Sequence, residues 1–541
     1  MKPILLATSL VLLLLILNVL TNGSTAFTFP DTTGKYVTGV HDSEFVDTEF
    51  PSNFQNDVIN GRRIMYRVYY PICDKLNTVT FEDTADDDDG QGDGGVTAIC
   101  QRKNDSTGLV DNIQLGIRRR KYFEFGEWEA YYGYPEPTDI TDTFDLTHSY
   151  LDAVPVVLSS KDGDDNDKPF PVMIYTHGFG MYVNDNTALL EEIASHGYIV
   201  FAIASPGYAS GILFPNTGDV ITAMNDYPEI NETLSENIET VPSPYMEPFS
   251  DDLTVRYQKN ELYLEEGAMP SLTTRVRDDM LALANYLDSN IRKRDDEILN
   301  GQETETTTTT FSRSSSTDTI LKDNQLVSTL LGSTNLSERG VVYMGFSLGG
   351  SAAGSAAHYD TTRARGAINF DGGHQNLDLF GTNISVPYMG FMSNINLIPF
   401  FYNEWFFEEI ETMGTRKDIV RVLVSSDGVG VSHLDFMDYK FLDQSIRTSL
   451  LGLPPVDGDT LHSMTVDFSL GFLNTYLRND EWEPNNSFDK FPNYVEPIDV
   501  SYVATWANGE DSIDPISSSS YHLTTSVIGF ASILALYSML T

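Results

Sequence analysis

The run Val341-Val342-Tyr343-Met344-Gly345-Phe346-Ser347-Leu348-Gly349-Gly350-Ser351-Ala352-Ala353 limits what this chain can fold into more than any other stretch. A β-branched apolar segment leads into Gly-X-Ser-X-Gly, and an Ala/Gly-rich segment follows. The spacing predicts a short strand, a sharp turn and a helix of small residues. In such a turn the serine stands at the tip with its hydroxyl held out for attack on a carbonyl. Gly345 and Gly349 flank it because a Cβ at a bend this tight collides with neighbouring backbone. Small residues from Gly350 to Ala357 keep the helix slim enough to press on a sheet. A bare Gly-X-Ser-X-Gly arises often by chance, and the flanking strand and helix signals make this one specific. Ser347 is therefore the candidate nucleophile.

The surrounding chain alternates strand and helix signals. Val172 to Thr176 reads as a buried strand ending in His177-Gly178-Phe179-Gly180, Ala188 to His196 as a helix closed by Gly197, and Tyr198 to Ala204 as the next strand. Continuous apolar strands of this kind belong to a parallel sheet covered on both faces. Ser271 to Asn290 has the apolar spacing of an amphipathic helix. After Ser347, strands are expected at Ala364–Phe370, Val386–Met392 and Ile419–Ser425, then helices at Phe436–Leu450 and about Thr460–Leu477. Upstream, Arg63 to Pro71 reads as a strand with a proline stop, while residues 27 to 60 show little periodicity. The fold class expected is α/β: a mostly parallel central sheet with helices on both faces, plus insertions.

A serine needs a base to take its proton, and the base needs an acid to orient it. In α/β-hydrolases these follow in the order Ser, Asp or Glu, His. Of the nine histidines, His433 is best placed, on a loop after the last expected strand of the sheet. His374 is its rival. For the acid, Asp371 ends the strand after the nucleophile. The following strand runs into Ser393-Asn394-Ile395-Asn396 with no carboxylate until Glu404, which favours Asp371 over Asp427. Two backbone donors are needed for the developing oxyanion. Leu348, just after the serine at a helix start, supplies one. Phe179, in the glycine-rich 177–180 loop, supplies the other, and His177 reads as structural.

The segments HGFG at 177–180, IASHGYIVFAI at 193–203, GFSLGG at 345–350, INFDG at 368–372 and SHLDF at 432–436 resemble the α/β-hydrolase family that holds the plasma-type platelet-activating factor acetylhydrolases and the dienelactone-hydrolase-like esterases near them. The resemblance covers about 171 to 480, with the strand end at 69–71. It implies an α/β-hydrolase fold, with Asp371 as acid, His433 as base, and Phe179 and Leu348 as oxyanion donors. It also favours a lipid-like ester as substrate. The chain departs from relatives at Ala204-Ser205-Pro206-Gly207-Tyr208, after the second strand.

Charge excludes one partner class. Seventy-eight acidic residues face 33 basic ones, for a net charge of −45, and nucleic-acid phosphates would be repelled. Lys2 followed by the apolar run Leu10 to Leu17, with Ser24 and Ala26 before Phe27, reads as a signal peptide over 1–26. Val527 to Leu540 is apolar and, at about 14 residues, short of the roughly 20 that span a bilayer. With the polar run at 517–522 before it, the segment 508–541 reads as a GPI-attachment signal, or else a membrane tail. Candidate attachment residues are Asn508, Gly509, Ser512 and Ser517. Between these two end segments lie five Asn-X-Ser/Thr sequons, at Asn104, Asn231, Asn335, Asn383 and Asn485, which agree with a secretory route to the outer cell surface. In that compartment Cys73 and Cys100, the chain's two cysteines, are expected to pair.

Between the ends, 27–507 reads as one hydrolase domain carrying a disordered acidic loop at 82–95, a lid-like insertion at 209–270 and a Thr/Ser-rich loop at 300–320. No metal and no cofactor is expected. The expected activity is a serine ester hydrolase of carboxylesterase, lipase or phospholipase/acetylhydrolase type, acting on an ester that includes lipid or phospholipid among its candidates. The alternatives are a non-catalytic adhesion module on the same fold and a surface serine peptidase.

Overall fold

An eleven-stranded mixed sheet runs through the protein. The computed structural model describes residues 29–50, 56–57, 61–74, 79–83, 96–103, 110–114, 119–124, 126–132, 146–153, 155, 169–222, 226–227, 268–299, 326–332, 335–373, 384, 386–393, 419–425, 430–444, 447–448, 453 and 455–497. The expected signal peptide, Thr/Ser-rich loop and carboxyl-terminal attachment segment lie outside these residues, as do nearly all of the acidic loop and most of the 209–270 insertion. Among the described residues no helix is long and apolar enough to cross a membrane.

In chain order the elements begin with two long strands, β1 (Tyr36–Asp47) and β2 (Arg62–Asp74). A separate three-stranded sheet follows, β3 (Val79–Asp83), β4 (Val96–Lys103) and β5 (Val110–Gln114). Next come β6 (Arg119–Lys121), α1 (Glu127–Tyr132) and β7 (Leu146–Leu151). Then β8 (Val172–Thr176), α2 (Thr187–Ser195) and β9 (Ile199–Ala204) lead to a small hairpin, β10 (Gly211–Leu213) with β11 (Val220–Thr222). The long helix α3 (Ala268–Leu299) and short α4 (Leu336–Arg339) precede β12 (Val341–Phe346) and α5 (Leu348–Tyr359). The chain continues through β13 (Ala364–Phe370), β14 (Tyr388–Ser393), β15 (Ile419–Val424), α6 (Gly458–Leu473), α7 (Pro484–Lys490) and β16 (Val495–Pro497).

The large sheet has the order β16-β15-β14-β13-β12-β8-β9-β2-β1-β7-β6. Its six middle strands, β15 to β9 in that order, are parallel. Antiparallel β16 closes one side, and β2, antiparallel to β9, continues the other. This is the expected α/β architecture, a mostly parallel central sheet with helices on both faces. Alternate residues go to opposite faces, as strand geometry requires. Val172, Ile174, Phe201, Val341 and Tyr343 pack on one side with Val276, Met280, Leu283 and Leu287 of α3 and Ala352, Ala353 and Ala356 of α5. Met173, Tyr175, Val200, Val342 and Met344 pack on the other with Leu189, Leu190 and Ile193 of α2 and Leu461, Met464 and Phe468 of α6. Each large aliphatic side chain so buried stabilises the fold by about 1.5–3 kcal/mol.

Three expectations change here. Residues 36–47, read as aperiodic, form β1, a full partner of β2. Pro71 does not stop β2. It lies past Tyr69, the last residue paired with β9, and beside the register shift at Val37/Thr38 in the pairing with β1, so its missing N–H interrupts no regular ladder. The helix expected at Phe436–Leu450 opens instead as two 3-10 turns, His433–Phe436 and Asp438–Phe441, set by buried Asp435 and Asp438, and among the described residues α-helical geometry appears later, at Gln444, Arg447 and Thr448. Cys73 is buried and disulfide-bonded, while the side chain of Cys100 lies outside the described residues. Of the sequons, Asn335 caps α4 and Asn485 is exposed on α7; the other three lie outside the described residues.

Candidate active site

The strand order reverses direction at β8. The connection through α2 leads to β9 on one side, and the return through α3 places β12 on the other. Open α/β sheets form a crevice at the carboxyl ends of strands at such a point. Thr176 ends β8 and Phe346 ends β12, so the 177–180 loop and Ser347 lie side by side there.

Ser347 has φ 56° and ψ −128°, a backbone conformation costly for any residue with a Cβ. Neighbouring contacts hold it. Its amide donates to the Phe370 carbonyl at 2.8 Å, and its carbonyl accepts from Gly350 N at 2.8 Å. The glycines act through close approach. A Cβ on Gly345 would lie 2.2 Å from the Gly349 carbonyl oxygen, and one on Gly349 would lie 2.3 Å from the His177 carbonyl oxygen. A Cβ on Gly178 would press on the Phe346 ring at 2.8 Å.

The structure brings Ser347, His433 and Asp371 into one hydrogen-bonded chain. Ser347 Oγ lies 2.8 Å from His433 Nε2, and His433 Nδ1 lies 2.7 Å from Asp371 Oδ2. With the proton on Nδ1, the ring donates to the carboxylate and Nε2 accepts from the serine hydroxyl. His433 opens a 3-10 turn with a capping box between Ser432 and Asp435, and Arg447 Nη2 donates to Asp435 Oδ1 at 2.6 Å. The ring also packs against Phe346, with centroids 4.6 Å apart. His374 and Asp427, the rival base and acid, lie outside the described residues.

Asp371 is fully buried with φ 54°. Its amide donates to the Phe391 carbonyl at 2.9 Å, which ties the turn after β13 to β14. Asn369 braces the same turn from inside: its Oδ1 accepts from Gly372 N at 2.8 Å, and its Nδ2 donates to the Gly372 carbonyl at 2.8 Å. Sequence reasoning missed Asn369, although it stands two residues before the acid. Ser393 was also missed; its amide and hydroxyl both donate to the Asp371 carboxylate, at 2.8 and 2.7 Å. Nothing local in the sequence marks that contact, which joins two strands.

Of the two expected oxyanion donors, Leu348 follows the serine directly, and Phe179 follows Gly178, where an added Cβ would lie 3.2 Å from the Ser347 Cβ. Leu348 is the first residue of α5, so its amide has no acceptor in a preceding turn and points toward the helix start. Phe179 is half-buried, with its ring against Tyr208. The loop is fixed around it: Gly180, at φ 69°, donates to the Tyr208 carbonyl at 3.0 Å, and Tyr208 OH donates to the His177 carbonyl at 3.1 Å. His177 is completely buried, and its Nδ1 donates to the Gly178 carbonyl at 2.7 Å. Burial holds its imidazole down to about 4, so it is neutral at physiological pH. That fits a structural role.

Further along, the loop into α2 is anchored by a buried ionic cluster. Arg67, with no exposed surface, donates from Nε and Nη2 to Asp42 at 2.5 and 2.9 Å, from Nη1 to Asn184 Oδ1 at 2.6 Å and from Nη2 to Glu127 Oε1 at 2.6 Å. Arg120 donates to the same Glu127 oxygen at 2.5 Å. Burial pushes the Asp42 carboxyl up, but the charges of Arg67 and Arg120 outweigh it and hold the group down to about 2.

Among the described residues no group of His, Cys, Asp and Glu is arranged to hold a metal ion. The arrangement can carry out proton transfer between a hydroxyl and an imidazole whose second nitrogen is held by a buried carboxylate.

No protein-family model matches the chain. No curated protein matches it either. Among solved structures, a ferulic acid esterase from Streptomyces cinnamoneus is similar at 16% identity and a TM-score of 0.48, over 85% of this chain and 95% of that one. The fold stands on its own strand order and elbow.

Proposed function

We propose that this chain is a serine hydrolase that cleaves carboxylic esters through an acyl-enzyme. The observation that carries this reading is the unbroken hydrogen-bonded chain from Asp371 through His433 to Ser347. Ser347 Oγ attacks the ester carbonyl carbon while its proton passes to His433 Nε2. Asp371 holds the ring in the required tautomer and stabilises the imidazolium that forms. The amides of Leu348 and Phe179 donate to the oxygen that becomes negative. The tetrahedral adduct collapses, and the departing alkoxide takes the proton from Nε2. Water then gives a proton to His433 and attacks the acyl carbon, releasing the acid and restoring the serine.

A lipid-like ester is the finer reading, supported by the motif resemblance. The same reading places the protein on the secretory route with a carboxyl-terminal membrane attachment, supported by the apolar ends of the sequence and by the disulfide-bonded Cys73. A fluorophosphonate probe should label the protein and fail to label Ser347→Ala; equal labelling of both would falsify the serine mechanism. Esters of rising acyl length, assayed beside a peptide amide, separate esterase, lipase and peptidase. A phosphatidylinositol-specific phospholipase should release the protein from cells, and complete retention would point to a spanning tail.

A further inference from the structure

Asp371 stands in a left-handed conformation at φ 54°, where an aspartate is tolerated but not favoured. That conformation carries its side chain across to the neighbouring strand, where Ser393 ends β14. Ser393 meets both carboxylate oxygens: its amide donates to Oδ1 at 2.8 Å and its hydroxyl to Oδ2 at 2.7 Å. The second oxygen is the one that also accepts from His433 Nδ1. The Ser393 amide cannot drift, because β14 is held in register with β15 through Ser393↔Val424. The Ser393 side chain is itself buried, at 1% exposure. A carboxylate can rotate about its last bond. Two donors from one fixed residue, one to each oxygen, remove that freedom and set the plane in which Oδ2 meets the imidazole.

We propose that Ser393 is a positioning residue for the reaction: its amide and hydroxyl clamp the Asp371 carboxylate so that Oδ2 faces His433. Asp371 alone, at the end of β13, supplies the charge. Ser393, one strand over, supplies the orientation. The acid element of this site therefore spans two strands. Ser393 acts through Asp371 and has no proton to transfer to the substrate. This inference rests on the serine-hydrolase reading.

The test is steady-state kinetics of the full chain on a p-nitrophenyl ester for wild type, Ser347→Ala, Ser393→Ala and Ser393→Thr, with thermal unfolding of each. Ser393→Ala keeps the backbone donor and deletes the hydroxyl. It should lower kcat about ten- to a hundredfold, the size expected for a lost hydrogen bond to a charged group, with KM within about twofold. Ser393→Thr retains the hydroxyl and should recover most of kcat. A Ser393→Ala enzyme that melts with wild type and keeps its kcat overturns the proposal. So does a loss confined to KM, or a folded Ser393→Thr as poor as alanine. Ser347→Ala separates the two levels of the argument. If it remains active, the serine mechanism itself fails; if it is inactive while Ser393→Ala is unimpaired, only the clamp fails.

Discussion

Gly372 lies directly against Ser347: a methyl group on its α-carbon would stand 2.0 Å from the Ser347 carbonyl oxygen and 2.6 Å from Asn369 Oδ1. The turn that carries the acid is thus seated on the turn that carries the serine. Ser351 Oγ adds a second tie by donating to the Gly373 carbonyl. Relative placement of Ser347 and Asp371 depends on this contact as well as on the strands below.

Gly372→Ala should therefore be a catalytic lesion before it is a stability lesion. A displacement of about 1 Å at reacting groups costs on the order of a hundredfold in rate. Rates on a small ester should fall by about that factor while the thermal midpoint shifts by a few degrees. A variant with wild-type rates would show that the contact is relieved elsewhere.

Asp371→Asn should lower kcat about ten-thousandfold, because the amide no longer favours the tautomer that leaves Nε2 to accept from Ser347. The three residues act as a unit, so Ser347→Ala combined with Asp371→Asn should be no slower than Ser347→Ala alone. Kinetics of the single and double variants measure this directly; multiplied losses would mean that the residues work independently.

Acid should destabilise the protein through histidines that fold neutral. Burial holds His177 down to about 4, and burial with the nearby Lys440 charge holds His462 down to about 3. Both values are depressed, so their contribution is complete above about 6.5 and is lost as pH falls through the folded values. The urea midpoint should drop between pH 7 and pH 4, with a slope of up to roughly 1.4 kcal/mol per pH unit for each group. His462→Leu should flatten that slope. His462 Nδ1 is buried without a hydrogen-bond partner among the described residues, so the variant should lose little stability at neutral pH. An unchanged slope would assign the acid sensitivity to other groups.

Arg67→Met should be costly despite its apolar replacement. It leaves Asp42, Glu127 and Asn184 facing one another with Arg120 as their remaining arginine. Breaking a buried ion pair from one side costs about 3–5 kcal/mol. Denaturant unfolding should show a loss of that size, and rates should fall less than in the active-site variants, since the Arg67 side chain meets Asp42, Asn184 and Glu127 rather than Ser347, Asp371 or His433.

Ser347, Asp371 and His433 were legible because each sits at a strand end or loop marked by local residue types, and their order along the chain is constrained by the chemistry. The parallel strands were legible because they are apolar throughout. β1 was hidden because His41-Asp42-Ser43-Glu44 reads as a solvated segment, whereas Asp42 and Glu44 are partners of Arg67 and Arg63 on β2. The 3-10 turns after His433 were hidden for a related reason. The apolar spacing there suits a helix, but Asp438 leaves it to meet the start of α2 through Ala188 N, at 3.4 Å. Ser393 carries no local signal, since its role exists only once β13 and β14 lie side by side.

β1 and β2 have a consequence for any attempt to trim this protein. The motifs of the catalytic part begin near Pro171, which invites a fragment starting there. Such a fragment would lack β2, which pairs with β9 from Met65↔Ala204 to Tyr69↔Val200. A wholly buried interior strand, Ile199–Ala204, would become a bare apolar edge, the kind of surface that recruits strands from other molecules and drives aggregation. The amino-terminal segment flanks the strands that carry Ser347 and the 177–180 loop, and any shortened form meant to stay in solution has to keep it.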